Sequence, residues 1–239
     1  MLVDLSAIAS EQASPTKSTM KKLDQFLDYA ASQEQAVLTY EASYMVLAVH
    51  NDASYLSESK SRSRAGGHFF MSKDVSFPPN NEAVLNIAHI MKIIMSSAAE
   101  AEIGAMYVNA REAFPAQQSP NEVGHHQPRT PMQTDNTAAH SVVANNVQPK
   151  RTKAMYMRFH WLRCRDAQDQ FRYYWRPGSQ NWADYWTKNF PASRHINMRP
   201  EFLTPAWHLE DLKRRQMKAV RAVELAQVIS YSSPATRVC

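Results

Sequence analysis

Four carboxylates in this sequence stand at the edges of apolar segments, where a negative charge needs compensation. They are Asp52, Glu102, Asp135 and Asp184. The clearest is Asp52, which follows residues 45–49, a short apolar run with β-branched residues that is typical of a buried strand. A carboxylate that loses water at such a point costs free energy unless a cation or hydrogen-bond donors compensate for it. We therefore interpret the four acids as one metal site.

Each of the other three acids also has a structural interpretation. Glu102 has alanine and methionine neighbours at helical spacing, so it is either a site residue or an ordinary exposed glutamate on a narrow alanine face. Asp135 lies where a short strand meets a helix and could be an N-cap. Asp184 could be a favourable first-turn acid of a helix that Asn181 caps. Taken one at a time, these residues leave both alternatives open.

Together, the acids indicate a specific kind of chemistry. Three or four carboxylates that converge from different elements form a site of hard oxygen ligands, which suits Mg²⁺ or Mn²⁺ far better than zinc. Two such ions about 4 Å apart can activate a water molecule and stabilise the leaving oxygen of a phosphodiester. The net charge of +5 and the pI of about 9.2 favour an acidic partner such as nucleic acid.

Hydrophobic periodicity predicts the elements that must position the acids. We predict a helix over residues 19–31, strands over 36–40, 45–52, 68–71 and 83–88, a helix over 97–114, a strand over 131–136, helices over 137–145 and about 155–165, a strand over 171–175 and a last core helix from 181. The strands between residues 45 and 88 form an antiparallel meander, with Gly66 and Gly67 as a break within it. Ser97 and Glu100 form a capping box, which gives Glu100 a structural role.

The helix at about 155–165 is basic and aromatic outside its apolar stripe of Met155, Phe159 and Leu162. It is either a solvated face over a core stripe or a surface for the nucleic-acid backbone, where cations and aromatic rings act together. A second basic amphipathic helix is predicted over 208–229, and it suits solvent or a partner better than a membrane.

Cysteine usage and hydropathy bound the compartment. Cys164 and Cys239 form neither a disulfide framework nor a zinc site, which favours a reducing setting. No apolar run reaches the ~18 residues of a membrane span, and the N-terminus lacks the pattern of a secretory signal. We expect an intracellular protein, in cytoplasm or nucleus, without a membrane partner.

Five pieces of the sequence together resemble the ribonuclease H domain of copia-type LTR retrotransposon polyproteins. In family order they are residues 51–54 (NDAS), 96–103 (SSAAEAEI), 134–139 (TDNTAA), 151–153 (RTK) and 181–188 (NWADYWTK). The resemblance spans roughly residues 45–190. It divides the chain into a loose tail with a connector helix and strand (1–44), a ribonuclease H-like domain (45–190) and a C-terminal extension with the basic amphipathic helix (191–239).

The resemblance implies an α/β ribonuclease H-like fold, a five-stranded mixed sheet flanked by helices, with helical N- and C-terminal extensions. It implies hydrolysis of the RNA strand of RNA–DNA hybrids with two divalent ions, Mg²⁺ or Mn²⁺. The catalytic metal ligands that it implies are Asp52, Glu102, Asp135 and Asp184. Glu102 rather than Glu100 matches the family because Ile103 and Ala105 follow it as the family pattern requires. The residues expected to contact nucleic acid are Asn136, Arg151, Lys153, Arg158, Trp161 and Asn181.

The sequence also departs from the family. Residues 176–180 contain no histidine of the kind that many ribonucleases H carry before the last acid, so we expect slow turnover. The polymerase signature Tyr-x-Asp-Asp and an integrase zinc motif are absent, so the chain looks like a fragment or a degraded copy of a retroelement. A reverse transcriptase domain is a candidate partner. The alternatives are a non-catalytic remnant that keeps the fold and binds nucleic acid, and an interaction module that works through the C-terminal helix.

Overall fold

The computed structural model describes residues 1–33, 36–144 and 156–204. The chain divides into two compact units. The first comprises Met1–Ser32 and Tyr40–Pro191, and the second comprises Gln33–Thr39 and Ala192–Cys239. Among the described residues, no helix combines the length and the apolar character that crossing a membrane requires.

The first unit is built around one mixed sheet with the strand order β3-β2-β1-β4-β5. Its strands are β1 (Val46–Glu58), β2 (Arg62–Ser72), β3 (Ala83–Ile90), β4 (Thr130–Thr134) and β5 (Phe171–Trp175). The first three strands pair in antiparallel fashion, whereas β4 runs parallel to both β1 and β5. The antiparallel meander and the five-stranded mixed sheet are therefore confirmed, and β1 is the central strand.

Helices flank the sheet. They are α1 (Leu2–Ser10), α2 (Lys17–Ala31), α3 (Ala98–Ala116), α4 (Gln118–Glu122), α5 (Thr137–Ala144) and α6 (Tyr156–Ala167). The second unit, described by itself, contains α7 (Ala192–Phe202). The main core joins Leu47 and Val49 of β1 to Ile103 and Met106 of α3, all nearly inaccessible to solvent. Removing such side chains from water is the main favourable contribution to folding, at about 1.5–3 kcal/mol for each. The core thus fixes α3 against the strand that carries Asp52.

The predicted basic helix is confirmed as α6, and two of the three residues of its apolar stripe, Phe159 and Leu162, are buried as expected. Met155 lies outside the described residues. The helix predicted over 137–145 is confirmed as α5. The stripe residue Leu162 and the α5 residue Val143 belong to the same core cluster, so both helices pack on the sheet beside α3.

The N-terminal region differs from the prediction. Residues 2–10 form α1 instead of a loose tail, because Val3 is buried and α1 packs against α2 and β3. The connector helix is confirmed as α2, which Thr16 caps. The strand predicted over 36–40 is wrong, since only Val37 pairs, in an isolated bridge with Thr204. Both differences, the helix at residues 2–10 and the missing strand at 36–40, arise from contacts with distant residues that the local sequence pattern does not encode.

The C-terminal part of the chain also differs. The predicted core helix from residue 181 is a short 3₁₀ helix, Trp182–Trp186, and not an α-helix. Its cap is confirmed, because Asn181 Oδ1 accepts a hydrogen bond from Ala183 N at 3.2 Å. The helix α7 follows at a position where no helix was predicted, and the helix predicted over 208–229 lies outside the described residues.

Candidate metal centre

Three of the four predicted acids come together in the structure. Asp52 lies on β1, Glu102 lies in the second turn of α3, and Asp135 directly follows β4. One carboxylate oxygen of each lies within 4.8 Å of the others. Because His50 lies opposite Gln133 in the parallel pairing of β1 with β4, the acids two residues further on emerge at the same end of the sheet. We call Asp52, Glu102 and Asp135 the carboxylate cluster.

Glu102 is buried without enough hydrogen-bond donors for its charge. The residue is only 6% exposed to solvent. Oε1 accepts a hydrogen bond from Ala53 N at 3.3 Å, whereas Oε2 has no hydrogen-bond partner among the described residues. Burial, and then the charges of Asp52 and Asp135, raise the pKa of Glu102 well above its ordinary value. The alternative of an ordinary exposed glutamate is therefore wrong.

Glu100, two residues earlier, has the structural role that its position predicted. Ser97 Oγ caps α3 by accepting a hydrogen bond from Glu100 N at 3.1 Å. Glu100 Oε2 accepts hydrogen bonds from Ser96 N at 2.7 Å and from Ser96 Oγ. The carboxylate thus reaches back to Ser96 and not, as in the predicted capping box, to the backbone of Ser97. Two hydrogen-bond donors thus compensate the Glu100 carboxylate, whereas Glu102 has one, Ala53 N.

Asp52 is also buried, with 2% of its surface exposed. Its Oδ2 accepts a hydrogen bond from Thr187 Oγ1. Burial raises the pKa of Asp52 to about 6, although the charge of Lys188 and the Thr187 hydrogen bond oppose the rise. One hydroxyl donor and one nearby ammonium thus compensate only part of the cost of removing this charge from water.

Asp135 is half-buried, and its carboxylate is not the cap of α5. Asn136 is the cap, because its Oδ1 accepts a hydrogen bond from Ala139 N at 2.9 Å. The backbone oxygen of Asp135 accepts a hydrogen bond from Trp175 Nε1 at 2.8 Å, which ties this residue to the end of β5. Burial raises the pKa of Asp135. The N-cap alternative is therefore wrong, and the carboxylate takes part in the cluster instead.

Asp184 lies beside the carboxylate cluster without belonging to it. Its Oδ1 accepts a hydrogen bond from Lys188 Nζ in an ion pair. Its charge raises the pKa of both Asp52 and Asp135, so it is within electrostatic reach of them. The structure thus brings three of the four predicted acids together and leaves the fourth paired with a lysine.

A set of buried asparagines lies directly behind the cluster. Asn51 Nδ2 donates to Gln133 O at 2.9 Å, and Asn109 Nδ2 donates to Asn51 Oδ1 and to Gly66 O, both at 2.8 Å. Asn181 Nδ2 donates to Asn51 O at 2.8 Å. These bonds join β1, β2, β4, α3 and the start of the 3₁₀ helix. We call Asn51, Asn109 and Asn181 the amide network, and it holds in place the elements that carry the acids.

Gly66 and Gly67 lie in the middle of β2, so the predicted break at these residues is wrong. A Cβ atom at Gly66 would lie 2.4 Å from Thr187 Cγ2 and 2.8 Å from Ala183 O. A Cβ atom at Gly67 would lie 2.4 Å from Asn109 Oδ1. The two glycines are needed for space: they allow the 3₁₀ helix and α3 to approach the strand beside the site.

The residues predicted to contact nucleic acid do not lie together. Arg151 and Lys153 fall outside the described residues. Arg158 and Trp161 lie on α6, and both contact Tyr107 of α3: the Arg158 guanidinium is 5.8 Å from its ring centroid, and the Trp161 ring meets it edge-on at 5.4 Å. These two residues form a half-buried basic and aromatic surface, and its contact with nucleic acid stays a prediction.

Asn136 and Asn181, also predicted to contact nucleic acid, hold backbone elements instead of projecting freely. Asn136 caps α5. Asn181 is buried in the amide network and also forms a hydrogen bond to Asp135 that lowers the pKa of that carboxyl group. Both residues therefore position Asp135 or its neighbours in this structure, and their contact with nucleic acid stays a prediction.

Four residues of the site received no role from the sequence: Asn51, Asn109, Thr187 and Lys188. For Lys188 a signal was available, because a lysine four residues after an aspartate is a frequent ion-pair spacing on a helix. Asn109 and Thr187 carry no such local signal. They reach the site only through the packing of α3 and of the 3₁₀ helix against β2.

The donor set fits a hard divalent cation. It consists of carboxylate oxygens alone, which are the ligands that Mg²⁺ and Mn²⁺ prefer. The buried Glu102 oxygen without a hydrogen-bond partner would gain one in a bound cation, and the cation would offset the mutual repulsion that raises the pKa of Glu102. Asp52, Glu102 and Asp135 are the residues that would hold it.

No family model matches the sequence, and none of the curated proteins does. Among solved structures, the chain is similar to LC11-RNase H1, isolated from compost by a metagenomic approach, at 11% identity over 60% of this chain and 93% of that one, with a TM-score of 0.45. It is similar to the same enzyme in complex with an RNA/DNA hybrid, at 10% identity over 59% and 93%, with a TM-score of 0.42. A third similar structure, RNase H1 from Halobacterium salinarum, has 11% identity over 59% and 93%, with a TM-score of 0.35.

Proposed function

We propose that this protein is a metal-dependent endonuclease that hydrolyses the RNA strand of RNA–DNA hybrids. The observation that carries the proposal is the carboxylate cluster, in which three acids from three elements converge and one buried Glu102 oxygen lacks a hydrogen-bond partner among the described residues. The choice of substrate rests on the five sequence pieces that resemble copia-type ribonucleases H and on the basic net charge.

In this proposal, Asp52, Glu102 and Asp135 would hold one Mg²⁺ or Mn²⁺ ion, and Asp184 would contribute to holding a second. Divalent ions held in this way would activate the attacking water and stabilise the leaving oxygen of the phosphodiester. Thr187 orients the Asp52 carboxylate through its hydroxyl group, and the amide network keeps β1, α3 and the 3₁₀ helix in register.

The basic and aromatic surface of α6, with Arg158 and Trp161, is proposed to hold the backbone of the hybrid, and so are Arg151 and Lys153. We further propose that the chain derives from a copia-type retroelement and that a reverse transcriptase domain is its partner. Both points rest on the order of the five sequence pieces, in which residues 181–188 follow residues 151–153 as in the family.

The test is cleavage of a hybrid with a labelled RNA strand, in Mg²⁺ and in Mn²⁺, by the wild type, by Asp52→Asn and by Asp74→Asn. Asp74 is an exposed acid in the loop after β2, so its variant makes the same chemical change away from the site. We expect loss of the RNA strand with the wild type and Asp74→Asn, and at least about a hundredfold slower loss with Asp52→Asn, because losing even an outer partner of a metal ligand costs about 10–100-fold.

The alternative, a remnant that binds nucleic acid without cutting it, predicts a different result. A folded wild type that binds the hybrid in a gel-shift assay but leaves both strands intact in either metal would overturn the nuclease proposal and favour the remnant. Equal cleavage by the wild type and Asp52→Asn would assign the activity to a contaminant.

A further inference from the structure

Lys188 is the cation that this protein itself supplies to the site. Its Nζ donates to Asp184 Oδ1, and its side chain is 46% exposed, so the ammonium group lies at the boundary between the site and solvent. The preceding residue, Thr187, donates its hydroxyl proton to Asp52 Oδ2. The backbone at residues 187–188 is therefore fixed against the carboxylate cluster, and the lysine cannot be remote from it.

The charge of Lys188 acts on several acids at once. It lowers the pKa of Asp52, Glu102 and Asp135, in each case against the larger effect of burial. The ammonium group thus acts electrostatically on all three cluster acids while it is hydrogen-bonded to Asp184, so a cation that used Asp184 as a ligand would have to displace it. Asp184 is also the one predicted ligand that stands outside the cluster.

We propose that Lys188 occupies the second cation position in the free protein, so that the carboxylate cluster binds one divalent ion and a second binds only when Lys188 leaves Asp184. This inference rests on the proposed function, because it concerns the ions of the same site. The cluster itself carries an independent sign of a ligand in the buried Glu102 Oε2 without a described partner.

The chemistry of lysine suits this role. Its ammonium group is a compact, strongly hydrated charge on a flexible four-carbon stem, and a half-exposed side chain can rotate into water without disturbing the core. Thr187 stays bonded to Asp52 when the lysine moves, because Thr187 binds Asp52 whereas Lys188 binds Asp184. The second ion would thus exchange with Lys188 while the first site keeps its geometry.

The experiment counts bound ions without nucleic acid. Mg²⁺ binding by titration calorimetry and Mn²⁺ binding by electron paramagnetic resonance are measured for the wild type, Lys188→Met and Lys73→Met. Methionine keeps the length of the stem and removes the charge. Lys73 is an exposed lysine just after β2, seven positions beyond Gly66, which pairs with Asp52, so its variant is the matched control.

We expect one tightly bound ion on the wild type and on Lys73→Met, and two on Lys188→Met. The second ion should bind to Lys188→Met at least about tenfold more tightly than any second ion binds to the wild type. A single charge within about 4–6 Å changes a proton equilibrium by about 10–1000-fold, and a divalent ion responds at least as strongly. Adding Asp184→Asn to Lys188→Met returns the count to one, because Asp184 is the ligand that the lysine releases.

Two outcomes overturn the inference: a wild type that binds two ions with similar affinity, or a Lys188→Met protein whose ion count and affinities equal those of the wild type. Failure of the proposed function looks different. In that case the wild type binds one ion and Lys188→Met binds two, yet neither cleaves the hybrid. A folded wild type and a folded Lys188→Met that both bind no ion would overturn both ideas.

Discussion

The amide network and the carboxylate cluster meet at neighbouring positions of β1, Asn51 and Asp52. The two sets of residues differ in how their polar atoms are hydrogen-bonded. In the amide network, each asparagine uses its NH₂ group to bind a backbone or side-chain oxygen of another element. In the carboxylate cluster, one residue further along β1, Asp52 accepts one side-chain bond and Glu102 keeps an oxygen without a described partner. All three NH₂ groups of the network thus find acceptors, whereas the cluster leaves a carboxylate oxygen without a partner among the described residues.

This difference separates a structural from a ligand-binding role. The amide network also leaves one acceptor, Asn109 Oδ1, without a described partner, but that oxygen is neutral. A neutral acceptor that lacks a bond costs about 1–3 kcal/mol, and a charged one costs more. Buried carboxylates with few donors are therefore the residues at which a bound cation would compensate most. The amide network needs nothing further to hold the fold.

The largest effect is expected from Asn109→Leu, which breaks the amide network. The change removes the donor to both Asn51 Oδ1 and Gly66 O. A buried oxygen left without a partner costs about 1–3 kcal/mol, and a lost hydrogen bond costs about 0.5–1.5 kcal/mol. We expect the free energy of unfolding to fall by about 4 kcal/mol in chemical denaturation. Asn136→Ala, which removes the half-exposed cap of α5, serves as the control and should cost about 1 kcal/mol. A loss for Asn109→Leu no larger than that of the control would contradict the structural role of the network.

Asp52→Asn should have the opposite sign in metal-free buffer. Burial raises the pKa of Asp52 from 3.8 to about 6, so the charged carboxylate destabilises the fold at pH 7. At about 1.4 kcal/mol per pKa unit, the neutral variant should be more stable than the wild type by about 3 kcal/mol at pH 7. Because the folded wild type binds the proton more tightly, its stability rises as the pH falls through 6, and the difference between the two proteins should vanish near pH 4.

Denaturation in EDTA across pH 4–8 measures this difference, and a second series contains Mg²⁺. The ion should stabilise the wild type at pH 7 but not Asp52→Asn, since binding to the folded state alone stabilises it by mass action. If Asp52→Asn destabilised the metal-free protein at pH 7 as Asn109→Leu does, the distinction between cluster and network would be lost.

Much of the fold could be predicted from local patterns. The central strand, the meander and the helices α2, α3, α5 and α6 follow from hydrophobic periodicity and capping residues, which act over a few neighbouring positions. The regions that were mispredicted depend on distant contacts. Residues 2–10 are helical because they pack against α2 and β3, and Val37 pairs only with Thr204, far along the chain.

The same distinction holds for the site. Sequence and family resemblance selected Asp52, Glu102 and Asp135, which the structure brings together. They did not identify the pairing of Asp184 with Lys188, and they could not show that Asn109 binds Asn51 across α3 and β1. Asp184 and Lys188 are four positions apart, whereas Asn51 and Asn109 are 58 positions apart. Only the shorter separation leaves a pattern in the sequence.

The smallest effect is expected from Gly66→Ala, which acts on both groups of residues at once. The new methyl group would meet Thr187 Cγ2 at 2.4 Å and Ala183 O at 2.8 Å, so the 3₁₀ helix must shift. Overpacking of this kind costs about 1–3 kcal/mol. Since Thr187 donates to Asp52, Mg²⁺ affinity should weaken as well, by about 10–100-fold, the usual cost of losing a partner of a metal ligand.

Thr187→Ser in the same protein tests the cause of that shift. Serine keeps the hydroxyl donor for Asp52 and removes Cγ2, so it relieves the closer of the two conflicts and leaves the one with Ala183 O. Denaturation and Mg²⁺ titration of the double variant should therefore show a partial recovery of both stability and affinity. Recovery of stability without recovery of affinity would mean that the loss of Mg²⁺ affinity does not arise from the contact between the new methyl group and Thr187.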